Sequence, residues 1–140
     1  MKSYEAQAII HAAPDVVWSV LTDRAKLTSG GFGILRLDGE IRAGERIKLW
    51  SEVSPGRAFA LKVSTFEPGR LMRWQSGMPL GVFKGERTFT LTPNADGTTF
   101  HMREVFSGPL SGLIVKSIPD LGPSFEKFAT ALKQMSEAMQ

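Results

Sequence analysis

Arg87, Glu104, Ser51, Tyr4 and Trp74 are the residues of this chain whose types and placement offer chemistry. Two of them come from one pattern. Residues 83–92 (FKGERTFTLT) and 98–108 (TTFHMREVFSG) each alternate with a period of two around residues 93–97 (PNADG), which predicts a β-hairpin closed by a longer Gly-containing loop. Phe83, Gly85, Arg87, Phe89 and Leu91 then share one face of the first strand, and Phe100, Met102, Glu104 and Phe106 share one face of the second. Pairing Leu91 with Phe100 sets Phe89 opposite Met102 and Arg87 opposite Glu104. An Arg and a Glu therefore sit side by side on an otherwise apolar face. Dehydrating either charge alone costs several kcal/mol, so the pair needs a reason. Two remain open: a structural pair, Arg87 bidentate to Glu104, that fixes hairpin register, or a pair that meets the polar end of a ligand in a cavity. In the second case Glu104 is a candidate acid or base and Arg87 its electrostatic partner or an oxyanion clamp. Ser51 and Tyr4 would hydrogen-bond, and Trp74 would add a donor and a flat wall. Such a set suits aldol-type cyclisation, in which a base removes a proton alpha to a carbonyl and a cation holds the enolate. It equally suits orientation of a ligand in an apolar pocket.

Other chemistries are disfavoured by what the chain carries. Two His and no Cys argue against a zinc site, and no metal or cofactor is expected; His11 and His101 fall on outer faces. No Gly-x-Ser-x-Gly elbow is present. Gly30, Gly31 and Gly33 are followed by no Gly-Lys-Ser/Thr, and Arg36 stands where a dinucleotide fingerprint wants its last Gly, so residues 29–33 read as a mobile connector carrying an exposed Phe32. At 140 residues and 42% hydrophobic, the chain fits one domain, residues 1–140, with a real core. The net charge of +3 comes from interleaved acids and bases, which leaves no nucleic-acid footprint. With neither a signal peptide nor an apolar run of spanning length, a cytoplasmic protein without stable membrane insertion is expected.

The elements that must position these residues follow in order. Residues 4–12 alternate as a strand, with Tyr4, Ala6, Ala8 and Ile10 on one face. Ala13-Pro14-Asp15 starts a short helix with an apolar stripe of Val17, Trp18 and Leu21, and Asp23 caps a second one. A meander follows: Leu35, Leu37, Gly39 and Ile41 share a face, then Ile47, Leu49, Ser51 and Val53, with Trp50 on the outer side. Ser54-Pro55-Gly56-Arg57 and Glu67-Pro68-Gly69-Arg70 read as turns, with Phe59, Leu61, Val63, Met72 and Trp74 inside. After a loop over residues 107–118, Asp120 is the expected N-cap of a long helix with Pro123 in its first turn. Leu121, Phe125, Phe128, Leu132, Met135 and Met139 make its apolar stripe, which the concave face of the sheet would cover.

This order of elements is similar to the helix-grip fold of the START-like (SRPBCC) superfamily: α+β, a curved seven-stranded antiparallel sheet around a long C-terminal helix, with two short helices between strands 1 and 2. The words that resemble its polyketide cyclase/dehydrase and lipid-transport branch are Ile10-His11-Ala12-Ala13-Pro14 with Val17-Trp18 and Leu21-Thr22-Asp23, then Gly39-Glu40-Ile41 and Gly44-Glu45-Arg46-Ile47. Phe66 with Pro68-Gly69-Arg70 and Trp74, Gly85-Glu86-Arg87 with Phe89, Gly97-Thr98 with Phe100, and Glu104 with Phe106-Ser107-Gly108 continue the series. The resemblance implies a hollow between sheet and C-terminal helix for a hydrophobic or amphipathic small molecule: a lipid, a polyketide or an aromatic-like compound. Its expected lining is Tyr4, Leu37, Leu49, Ser51, Leu61, Trp74, Arg87, Phe89, Met102, Glu104, Phe125, Phe128 and Leu132. A cyclase-like enzyme using Glu104 and Arg87 is the alternative. The third reading is a protein-interaction module with a filled cavity, its contact marked by Trp50 or Phe32. Residues 29–33 and 107–118, one glycine-rich and the other aperiodic, are expected to flank the entrance and to exchange amide hydrogens faster than the central strands. Equal protection in a hydrogen-exchange measurement would rule out such a gate.

Overall fold

A computed structural model describes residues 2–77, 79–116 and 120–139. Seven antiparallel strands form one sheet in the order β1-β7-β6-β5-β4-β3-β2. These are β1 (Lys2–Ile10), β2 (Ile34–Asp38), β3 (Arg46–Ser51), β4 (Ser54–Glu67), β5 (Leu71–Gly77), β6 (Lys84–Asn94) and β7 (Gly97–Ser107). Helices α1 (Pro14–Leu21) and α2 (Arg24–Leu27) lie between β1 and β2, and α3 (Ser111–Val115) and α4 (Gly122–Ala138) follow β7. The helix-grip fold expected from the sequence is the one observed.

The central hairpin has the register that alternation implies: Leu91 faces Phe100, Phe89 faces Met102 and Arg87 faces Glu104. Its turn is tighter than expected, because Asn94 pairs with Gly97 and only Ala95 and Asp96 remain outside the ladder. Gly97 is required there. At φ +145°, a Cβ would stand 2.5 Å from the Ile10 carbonyl oxygen, where the end of β1 crosses the turn. Beside it the buried Thr98 hydroxyl donates to the Ala12 carbonyl at 2.7 Å, tying the β1–α1 junction to β7.

Pairing irregularities move several residues from their expected places. The ladder between β2 and β3 shifts between Ile34 and Arg36, so Ile34 turns into the core and Leu35, expected inside, is 52% exposed. The hairpin between β3 and β4 turns at Glu52-Val53, because Ser51 pairs with Ser54. Pro55 and Gly56 thus belong to β4 and do not form the expected turn, while Val53 is exposed at the tip. Glu67-Pro68-Gly69-Arg70 does turn, with Gly69 at φ +76°. Phe32 is not exposed: it is buried edge-on against Phe128 at 5.3 Å between ring centroids, so the glycines carry a core anchor. Trp50 lies outside, half-buried under the Arg36 guanidinium. The loop after β7 contains α3, and Ile118, its expected end, lies outside the described residues.

Helix α2 is capped as expected, with the Asp23 carboxylate accepting from the Lys26 N–H. Helix α4 starts later than expected: Leu121 is its N-cap and Asp120 accepts from the Gly122 N–H at 2.9 Å. Its buried stripe is Phe125, Phe128, Ala129, Leu132 and Ser136, whereas Met135 is half-buried and Met139 exposed. The helix packs chiefly along β1 and α1, near one edge of the sheet. Polar clasps hold it there. Lys127 pairs with Glu52 at 2.7 Å, Lys133 Nζ donates to the Ile9 carbonyl at 2.6 Å, and Glu137 accepts from the His11 N–H at 2.9 Å. That N–H and the Lys133 ammonium hold the Glu137 carboxyl below its ordinary range.

Phe128 meets Phe32, Phe89 and Phe100 on three sides, whereas Phe125 packs against Tyr4 and the Arg87 guanidinium. Phe128→Ala is therefore expected to cost about 4 kcal/mol in denaturant unfolding and Phe125→Ala about 1 kcal/mol less. Equal losses below about 1 kcal/mol would contradict this placement of α4.

Candidate functional site

With α4 set over β1, the sheet from β3 to β6 stands away from the helix and encloses a hollow of about 310 Å³. Aromatic and aliphatic side chains dominate its wall: Phe32, Ile34, Leu49, Phe59, Leu61, Phe83, Phe106, Phe125 and Phe128 among them. Arg87 and Glu104 enter this wall from the halves of β6 and β7 that lie away from the Ala95-Asp96 turn. Cross-strand pairing puts Trp74 beside Arg87 and Tyr4 beside Glu104. A larger groove of about 720 Å³ lies outside the sheet, but it is shallow and bordered by lysines. The buried charges belong to the inner hollow.

Arg87 Nε donates to Glu104 Oε1 at 2.9 Å, and the two side chains are 20% and 12% exposed. The expected bidentate fork is not formed. Among the described residues, the terminal Nη groups of Arg87 and the second Glu104 oxygen make no further hydrogen bond to the protein, and both side chains keep some solvent contact. The guanidinium carbon lies 4.8 Å from the centre of the Phe125 ring, which fixes the plane of the fork by cation–π contact. Opposite the start of this region, Gly85 leaves room for Phe106, since a Cβ would come within 3.3 Å of that ring. Trp74 is buried against Phe89 at 4.8 Å, and its Nε1–H finds no acceptor among the described residues. Four Arg donors, one carboxylate oxygen and one indole donor therefore stand unused by the protein around a largely apolar space.

Of the residues expected from the sequence to line a cavity, Leu49, Ser51, Leu61, Trp74, Arg87, Met102, Glu104, Phe125 and Phe128 surround the hollow. Tyr4, Leu37, Phe89 and Leu132 do not: they pack in or against the core behind it. The lining also contains Phe32, Ile34, Arg57, Phe83, Ile114 and Leu121, which the sequence reading left out. Phe83 and Phe106 were already on the inward face of the hairpin and carried a usable signal; Phe32 and Ile114 lie in segments without a period. His11 is exposed, and the His101 ring meets Glu5 on the outer face at 3.1 Å.

Residues 1–137 match the family described as polyketide cyclase / dehydrase and lipid transport. The chain belongs to this family. Its fold is shared by solved structures of low sequence identity. Protein MLL2253 from Mesorhizobium loti is 17% identical over 99% of both chains, with a TM-score of 0.76. TTHA0849 from Thermus thermophilus is 19% identical over 99% of both chains, with a TM-score of 0.73. The di-domain ARO/CYC StfQ from the steffimycin biosynthetic pathway is 14% identical, with a TM-score of 0.73 over 98% of this chain and 51% of its own. No curated protein matches the chain. Among the described residues no helix is long and apolar enough to cross a membrane.

The ion pair supports a double-mutant cycle. Arg87→Met is expected to cost about 3 kcal/mol by stranding the Glu104 carboxylate, and adding Glu104→Leu should recover much of that loss. Additive, near-zero effects in urea unfolding would show that the pair is solvated.

Proposed function

We propose that the hollow binds an amphipathic small molecule, with its apolar body against the phenylalanines and an oxygen-bearing end on Arg87, Glu104 and Trp74. The observation that carries this reading is the half-used ion pair. Elsewhere in a protein interior an Arg–Glu pair dehydrated to this degree gains by closing both arms of the fork, because each unmade bond to a buried charged group costs about 1–3 kcal/mol. Here one arm is closed and the rest of the guanidinium lies against the Phe125 ring at the wall of the mainly apolar hollow. A ligand carbonyl or hydroxyl oxygen would satisfy those donors and the orphaned Trp74 N–H together. At about 310 Å³ the space lies at the lower end of ordinary small-molecule pockets, which suits a compact aromatic or a mid-length acyl chain. The family description, with its cyclases and lipid carriers, includes ligands of this kind.

A second reading is favoured by the free Glu104 oxygen. Facing the hollow, that oxygen would accept a proton from the carbon alpha to a bound carbonyl while Arg87 holds the resulting enolate oxygen, the first half of an aldol cyclisation. The enolate carbon would then bond to a second carbonyl of the same chain, whose oxygen takes the proton back. The di-domain ARO/CYC StfQ shares the fold in which this chemistry would be run.

Titration with the fluorescent ketone propionyl-dimethylaminonaphthalene tests the binding reading. Saturable binding at one site per chain is expected, weakened about tenfold, or about 1.4 kcal/mol, in the folded Arg87→Met/Glu104→Leu variant. No saturable binding, or equal binding to wild type and variant, would contradict it. For the catalytic reading, Glu104→Gln should retain the ligand and lose turnover.

A further inference from the structure

The sheet does not stay closed along its whole height. Strands β4 and β5 are paired from Glu67↔Leu71 up to Lys62↔Gln75, and there the pairing stops. Beyond that point Leu61, Ala60 and Phe59 remain paired only with β3, while Ser76 and Gly77 remain paired only with β6. The two halves of the sheet thus part between Leu61 and Ser76. Ala60, Leu61, Ser76, Gly77 and Phe83 border both the inner hollow and the outer groove. At this split the two spaces are separated by side chains and not by a hydrogen-bonded ladder.

The outer side of the split is basic. Arg46, Lys48, Lys62 and Lys84 border the groove, with Asp38 the one acidic residue, and Asp38 is held by Arg36. Arg46 and Lys62 are directly opposite in the ladder, and Lys48 is two residues along the same face. Like charges placed directly across a ladder destabilise it. Among the described residues Asp38 stands opposite Lys48 in the β2–β3 ladder but its carboxylate is engaged by Arg36, and no carboxylate lies within ion-pair distance of Arg46, Lys48 or Lys62; Lys84 has Glu86 at 3.4 Å.

We infer that the split between β4 and β5 is a side entrance to the hollow for an anionic amphiphile, an apolar body with a carboxylate, sulfonate or phosphate at one end, whose charge is collected by Lys48, Lys62 and Arg46. The inference rests on the reading of the hollow as a ligand cavity. It adds the route, the charge of the ligand and the residues that select for it. The apolar body passes between Ala60, Leu61 and Phe83, while the acidic group stays in the groove and relieves the like-charge pair. Because the cations are exposed, their effect is on encounter rate and falls with added salt.

Stopped-flow binding of two probes with similar ring systems tests this: anilinonaphthalene sulfonate, which is anionic, and phenylnaphthylamine, which lacks the sulfonate. In the Lys48→Gln/Lys62→Gln variant the anionic probe should associate about tenfold more slowly at low salt, with the uncharged probe changed less than about twofold. Ala60→Trp, which narrows the split from its exposed side, should slow entry and exit of both probes alike. The portal is overturned if phenylnaphthylamine binds the wild type but Ala60→Trp leaves its rates unchanged, or if the lysine variant slows both probes equally. If phenylnaphthylamine does not bind the wild type, propionyl-dimethylaminonaphthalene replaces it as the uncharged probe, and failure of both to bind would overturn the cavity reading, and the portal with it.

Discussion

Two opposite charges held on the concave face of an apolar sheet are the constraint around which this structure is arranged. Neither Arg87 nor Glu104 tolerates that position alone, and their 2.9 Å contact exists only while β6 and β7 keep their register. A one-residue slip would put Arg87 and Glu104 on opposite faces of the sheet and part Phe89 from Met102 and Phe106. The tight turn at Ala95-Asp96, the close approach of β1 over Gly97 and the Thr98–Ala12 bond all hold that register at the other end of the hairpin. The hairpin is at once the centre of the core and the carrier of the polar groups that face the hollow.

The hollow itself follows from where the long helix is anchored. Packing along β1 and α1, and pinned by Lys133 and Glu137 to the β1–α1 junction, α4 fills the concave face at one edge and leaves the β3–β5 side uncovered. Phe128 closes the helix side against Phe32, Phe89 and Phe100, and Phe125 supports the guanidinium. Ion pairing at the surface, as between Lys127 and Glu52, links the helix to the β3–β4 turn and adds little energy. Space between sheet and helix is thus a consequence of helix placement, not of missing side chains.

Alternation made the central hairpin legible, because a period of two has only one register that keeps both apolar faces together. Alternation misleads at β2 and β4. The ladder irregularity between Ile34 and Arg36 exposes Leu35, and Pro55-Gly56, a turn pair by composition, is absorbed into an edge of β4 that β5 has left. Neither event has a signature in the local sequence, since both depend on how the neighbouring strand is paired. Phe32 was misplaced for a related reason: three glycines suggest mobility, yet a single large ring among them is anchored by Phe128 from the far end of the chain. The pair Arg87–Glu104 was legible as a contact. That only one arm of it is closed, with the Phe125 ring against the guanidinium, is revealed by no local pattern.

Membership of the polyketide cyclase / dehydrase and lipid transport family is compatible with the proposed ligand site, and the partly paired Arg87 and Glu104 at the wall of the hollow are the observation behind that proposal. Met102 lines the hollow beside Phe125, whereas Met72 is sealed in the core and Met139 is exposed at the helix end. Methyl NMR of protein labelled at methionine, titrated with propionyl-dimethylaminonaphthalene, reads these positions directly. The account predicts ring-current shifts and probe contacts at the Met102 methyl with Met139 unmoved; shifts at Met139 with Met102 unchanged would place the ligand on the surface and contradict it.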